Sequence, residues 1–128
     1  MRLLLDTHLL LWASFRSAKL SPSARALIGD EANDLLFSAA SIWEVAIKRG
    51  LARDDFEIDP GSLRSALLAQ GYAEMVVTGA HAATVAALPP LHKDPFDRLL
   101  VAQSLSEPLI LLTRDARLTR YGTTIRVV

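Results

Sequence analysis

Three short aliphatic runs constrain the fold of this chain more than any other feature. Leu3-Leu4-Leu5, Leu35-Leu36-Phe37 and Leu109-Ile110-Leu111-Leu112 are each long enough for a short strand. None alternates apolar with polar residues, so none offers a face suited to water. A strand of that kind is covered on both sides. Sheets covered on both sides are mostly parallel, with helices over each face. Longer amphipathic segments separate the runs, which is the alternation of an α/β protein.

The helix signals agree with that layout. Ser21-Pro22, Asp59-Pro60 and Asp94-Pro95 each place a capping residue before a first-turn proline. The Asp59-Pro60 helix is expected to close at Gly71 and the Asp94-Pro95 helix to run to about Ser106. His8 to Phe15 and Ser41 to Arg49 also read as helical, with Gly50 in the place of a terminating glycine. Met75 to Val77 and Ile125 to Val128 read as further short strands, and Thr78 as the cap of a helix over 80–87. Residues 54–59 read as a polar loop. With 128 residues and no repeat or linker, one domain spanning 1–128 is the expectation.

Composition narrows the partners. Lys and Arg number 14, as do Asp and Glu, so the formal net charge is zero. A nucleic-acid partner would have to be met by a local basic patch or through bound cations. The absence of cysteine excludes disulfides and thiolate metal sites and fits a cytoplasmic protein. No apolar run approaches the ~18 residues of a membrane span, and three leucines after Arg2 are too few for a signal peptide. No membrane association is expected.

In a parallel α/β sheet, ligands bind beyond the carboxyl ends of the strands. Four acids fall near such places: Asp6 after the first run, Glu44 on the helix after the second, Asp97 in the helix before the third, and Asp115 after it. Each has a plainer reading. Asp6 and Asp115 suit turns or caps. Ser41-Ile42-Trp43-Glu44 matches a capping box. Asp97 suits the helix dipole, and Asp94 is best read as the cap itself. Yet the helix carrying Asp97 continues through Leu99, Leu100, Val101, Ala102 and Leu105 and is apolar nearly all round, so it is buried. A carboxylate beside buried surface needs a partner. Carboxylates that meet there repel one another and raise their pKa values unless a cation compensates, and a hard ion such as Mg2+ or Mn2+ suits oxygen ligands.

Taken together, LLLDTH at the start, SAASIWEVAIKRG, LPPLHKDPFDRLLVAQ and LLTRD resemble the PIN-domain ribonucleases, and within them the VapC-type toxins of toxin–antitoxin pairs. The similarity runs in order from Leu3 to about Tyr121. It implies a three-layer α/β/α PIN-like fold with a central parallel sheet. It also implies a catalytic, metal-binding set of four acids that falls on Asp6, Glu44, Asp97 and Asp115, with Asp6 and Asp97 innermost. Thr113 falls where the family often has a small hydroxyl near the metal, and His92 and Asp94 belong to the motif. The activity implied is Mg2+- or Mn2+-dependent RNA hydrolysis. The partners implied are an RNA substrate, a cognate antitoxin and a second copy in a homodimer.

Arg16, Lys48, Arg49, Lys93, Arg98, Arg114, Arg117 and Arg120 lie near the acidic motifs. They are candidates for contacts that position a strand without reading its bases. Solvated charge is the plainer reading for each, except Arg98, whose apolar neighbours suggest an internal acid partner. His8 and His81 read as structural, and Trp12 and Trp43 as core aromatics. Two rivals stay open: an acid-site α/β phosphatase with Asp6 as nucleophile, and a non-catalytic binding module.

Overall fold

In the computed structural model, which describes residues 1–53 and 56–128, β1 (Arg2–Leu5) is the middle strand of a five-stranded sheet. β2 (Asp34–Ser38) flanks it on one side, with β3 (Ala73–Met75) beyond. β4 (Ile110–Thr113) flanks it on the other, with β5 (Ile125–Val127) beyond. All four pairings are parallel.

The leucine run of β1 explains its central place. Leu3, Leu4 and Leu5 are all fully buried, and successive side chains go to opposite faces. Leu3 and Leu5 join an apolar cluster with Leu9 and Leu10 of α1 (Thr7–Ser14), Ala24 of α2 (Pro22–Gly29), Val45 of α3 (Ala39–Gly50), and Leu63 and Leu67 of α4 (Pro60–Ala69). Leu4 joins the opposite cluster with Leu100 and Val101 of α6 (Pro95–Ser106), against which Val85 of α5 (Gly79–Val85) packs. Burying each leucine stabilises the fold by about 1.5–3 kcal/mol. Helices on both faces of a parallel sheet are the α/β/α layering expected.

The topology then makes the crevice. From β1 the chain builds outward through β2 and β3, and it returns to the far side of β1 for β4 and β5. Connections leaving β1 and β4 therefore diverge, and such a switch point opens beyond the carboxyl ends of the strands. Asp6 follows β1 there, and Thr113 ends β4.

Several local expectations shift. The third strand forms at Ala73–Met75 rather than 75–77, with Val76 and Val77 beyond it. α3 begins at Ala39, capped by Ser38, and runs through Gly50; the left-handed residue that follows is Ala52, with φ 55°. Gly71 ends the α4 turn as expected, with φ 92°. α5 ends at Val85, before the expected 87. Asp54 and Asp55 of the expected polar loop lie outside the described residues, and Phe56 beside them is fully buried. Trp43 is 58% exposed rather than core, because α3 buries its Ala40–Ser41–Glu44–Val45 face and Trp43 points away from it. Its ring meets Phe96 edge-on at 5.1 Å. Trp12 is half-buried and packs against the first cluster. Among the described residues, no helix is long and apolar enough to cross a membrane.

Candidate active site

Asp6 does cap a helix: one carboxylate oxygen accepts the Leu9 N–H at 2.9 Å. Its other oxygen serves the crevice, accepting the Thr113 hydroxyl at 2.6 Å and lying 3.4 Å from the Arg114 N–H. Burial pushes the Asp6 carboxyl up, against the lowering effect of the Thr113 and Leu9 bonds. The Thr113 hydroxyl also accepts the Asp115 N–H at 3.0 Å, so one side chain ties the end of β1 to the exit of β4.

Glu44 forms no capping box. Because Ser38 starts α3 three residues before Ser41, Glu44 lies beyond the first turn and its side chain is released inward. It accepts the Thr7 hydroxyl at 2.6 Å and pairs with Lys48 at 2.5 Å. Lys48 also approaches Asp94 at 3.6 Å. Asp94 is the α6 cap, as expected, accepting the backbone N–H groups of Phe96 at 2.8 Å and Asp97 at 3.2 Å.

Asp97 is the strained member. Burial, then the charges of Asp94, Asp6, Glu44 and Asp115, push its carboxyl up to about 7. Among the described residues, the only basic group within ion-pair distance is the His92 ring, at 3.6 Å. Asp115, by contrast, is well served. Arg117 brings its backbone N–H and two guanidinium donors to Asp115 at 2.8–3.0 Å, and His92 Nε2 lies at 3.1 Å. Arg117 first, then His92, hold the Asp115 carboxyl far below the usual range although burial opposes them.

Asp97 thus lies within electrostatic reach of each of the other three predicted acids. His92, Asp97 and Asp115 bring ligand atoms within 4.8 Å of one another. The donor set suits a hard divalent cation: carboxylate oxygens, with one half-buried carboxylate driven toward neutrality by desolvation and then by the charges of the others. Internal cations already balance Glu44 and Asp115. The carboxyls of Asp97 and Asp6 are both pushed up.

The sequence matches the family described as PIN domain over residues 3–123. The chain belongs to the PIN-domain family. No curated protein matches it by sequence. Solved structures do match in fold. A chain of the VapBC2 structure from Rickettsia felis, bound to a DNA fragment from their promoter, superposes with TM-score 0.70 at 13% identity, covering 100% of this chain and 98% of that one. A chain of a toxin–antitoxin complex from Klebsiella pneumoniae gives 0.64 at 19%, covering 96% and 94%. A chain of VapBC-1 from nontypeable Haemophilus influenzae gives 0.64 at 14%, covering 100% and 97%.

The basic residues of this PIN domain differ in what they meet. Among the described residues, Arg98 meets no acid, where an internal acid partner was expected. Its guanidinium donates to the carbonyls of Pro89 at 3.1 Å and Val85 at 3.2 Å and to the Tyr121 hydroxyl at 3.0 Å. Lys48, Arg49 and Arg117 are paired with acids, and Arg114 lies 4.9 Å over the Trp12 ring. Arg16, Lys93 and Arg120 are exposed. His81 is 2% exposed and meets Glu107 at 2.9 Å, the packing role expected of it. His8 packs beside Trp12 and Phe56. The sequence reading missed Thr7, which orients Glu44. Its place between Asp6 and His8 in LLLDTH was the available signal.

Proposed function

We propose that this PIN domain, spanning residues 1–128, is a metal-dependent endoribonuclease and the toxin of a VapBC-type pair. The observation that carries the reading is the gathering of acids beyond the carboxyl ends of β1 and β4: Asp6 is bonded to Thr113, Asp97 and Asp115 bring ligand atoms within 4.8 Å of each other and of His92, and burial with the charges of Asp94, Asp6, Glu44 and Asp115 pushes the Asp97 carboxyl up. Family membership supports a nuclease, and the fold likeness to chains of VapBC structures supports the toxin assignment. Asp6, Glu44, Asp97 and Asp115 are the proposed catalytic and metal-binding acids, with Mg2+ or Mn2+ as the cation.

When bound, such an ion polarises a phosphodiester and lowers the pKa of a coordinated water. The chain's own groups hold the arrangement. Asp6 and Asp97, whose carboxyls are both pushed up, would make the innermost contacts to the ion. Thr113 fixes the Asp6 oxygen, Thr7 and Lys48 fix Glu44, and Arg117 and His92 fix Asp115. Exposed Lys93, Arg114 and Arg120 meet backbone phosphates, which position RNA without reading its sequence. A phosphatase that attacks through Asp6 is less favoured: such a site wants a second acid two residues on, and that position is His8.

The partners proposed are RNA, a cognate antitoxin and a second copy of the chain, in the cytoplasm. Cleavage of RNA by the purified protein with Mg2+ or Mn2+ tests the reading. Activity that persists in a chelator and in Asp97→Asn would overturn it.

Thr113 gives a sharper test of the wiring. In Thr113→Val the shape is kept while the hydroxyl joining Asp6 to Asp115 is lost. Cleavage is expected to fall about 10- to 100-fold, the usual cost of losing a partner that orients a metal ligand. Thr113→Ser should recover most of it. Single-turnover rates at saturating Mg2+ would show this, and a fully active valine variant would refute the role.

A further inference from the structure

His92 lies in the segment leading into α6, and its ring is clamped with 8% of the side chain exposed. Its backbone N–H donates to the Tyr121 hydroxyl at 3.0 Å. Its Nδ1 accepts the Asp94 N–H at 3.1 Å. A ring nitrogen that accepts a hydrogen bond carries no proton, so the neutral imidazole holds its hydrogen on Nε2. That nitrogen faces Asp115 Oδ2 at 3.1 Å and Asp97 Oδ2 at 3.6 Å.

The spacing of His92, Asp97 and Asp115 is that of a mixed histidine–carboxylate metal triad. The hydrogen bonds argue otherwise. A histidine that ligates through Nε2 normally donates its other N–H to a carbonyl or carboxylate. Here Nδ1 faces a donor, the reverse polarity, and Nε2 has no lone pair to give. The same Asp94 whose N–H meets His92 also caps Asp97. Ring, cap and Asp97 therefore form one fixed unit, with Nε2–H aimed at Asp115.

We propose that His92 is a positioning residue and not a metal ligand: its Nε2–H holds the Asp115 carboxylate beside Asp97, so that carboxylates alone face the cation. This rests on the metal-bound reading of the site given above.

Three measurements on the full chain test it. In long-range 1H–15N spectra of the metal-free protein at pH 8, His92 should show the Nε2–H tautomer. Pulsed EPR of the Mn2+-loaded protein, with 15N-labelled histidine, should show no coupling from a directly bound imidazole. Glutamine reaches Asp115 with an amide N–H where His92 has Nε2; asparagine stops at the Nδ1 position. His92→Asn should therefore weaken Mn2+ binding about tenfold and lower kcat similarly with little change in KM, while His92→Gln recovers most of both.

An Nδ1–H tautomer or a bound-imidazole coupling would overturn the proposal alone. So would unchanged Mn2+ affinity in a folded His92→Asn protein. Wild-type protein that binds no Mn2+ would instead remove the nuclease reading, and this role with it.

Discussion

Asp97→Asn should abolish RNA cleavage, by roughly a thousandfold or more, while making the metal-free protein more stable. The two effects have one cause. Asp97 is held where ionisation is unfavourable, its carboxyl raised from 3.8 to about 7 by burial and by Asp94, Asp6, Glu44 and Asp115. An acid whose folded pKa is raised binds its proton more tightly in the folded state. Its contribution is complete below the unfolded pKa, near 4, and is lost as pH rises through about 7. At about 1.4 kcal/mol per unit the ceiling is about 4 kcal/mol, and about 2 kcal/mol is the working figure for so coupled a cluster. In EDTA, the wild-type Tm should therefore fall between pH 4 and pH 8 more steeply than that of Asp97→Asn. At pH 8 the variant should melt roughly 5 °C higher. Adding Mn2+ should raise the wild-type Tm and leave the variant nearly unmoved. A variant less stable than wild type in EDTA at pH 8 would show that Asp97 is an ordinary helix-start residue.

Arg98→Ala should be the most destabilising of the single changes considered, by about 3 kcal/mol, or roughly 10 °C in Tm. The guanidinium gathers the segment between α5 and α6 with five bonds: to the carbonyls of Val85, Leu88, Pro89 and His92 and to the Tyr121 hydroxyl. Val85 ends α5, so the cation also meets the negative end of that helix. Truncation strips several half-buried carbonyls of a charged donor at once. Arg98→Lys should recover less than half, because an ammonium cannot span that fan of acceptors. Cleavage should fall as well, since Asp97 precedes Arg98 and His92 lies in the gathered segment. Urea or thermal melts of the three proteins would decide it. A loss below about 1 kcal/mol would mean that water replaces the bonds at little cost.

The parallel sheet was legible in the sequence because its evidence is local. Leu3-Leu4-Leu5 carries no polar residue, and nothing but coverage on both faces accounts for that. The caps at Ser21, Asp59, Thr78 and Asp94 were legible for the same reason: each acts on backbone groups two or three residues away. The capping-box reading of Ser41 and Glu44 failed because Ser38 caps the same helix three residues earlier, a choice set by where β2 ends. Trp43 was misplaced because hydrophobicity alone does not say which face of α3 the sheet covers. Arg98 found carbonyls rather than an acid because the path of the chain from α5 into α6 is a tertiary matter.

By itself, then, the sequence determined a parallel α/β core and four acids near the carboxyl ends of its strands. The tertiary structure alone decided how unequal those acids are. Thr7 meets Glu44 across 37 positions, and Thr113 meets Asp6 across 107. Lys48 and Arg117 balance Glu44 and Asp115, which leaves Asp97 to bear the repulsion. A hydrogen-bond cap depends on neighbours along the chain. The charge state of a buried carboxylate depends on distance through a low-dielectric interior to groups that only the folded sheet brings near.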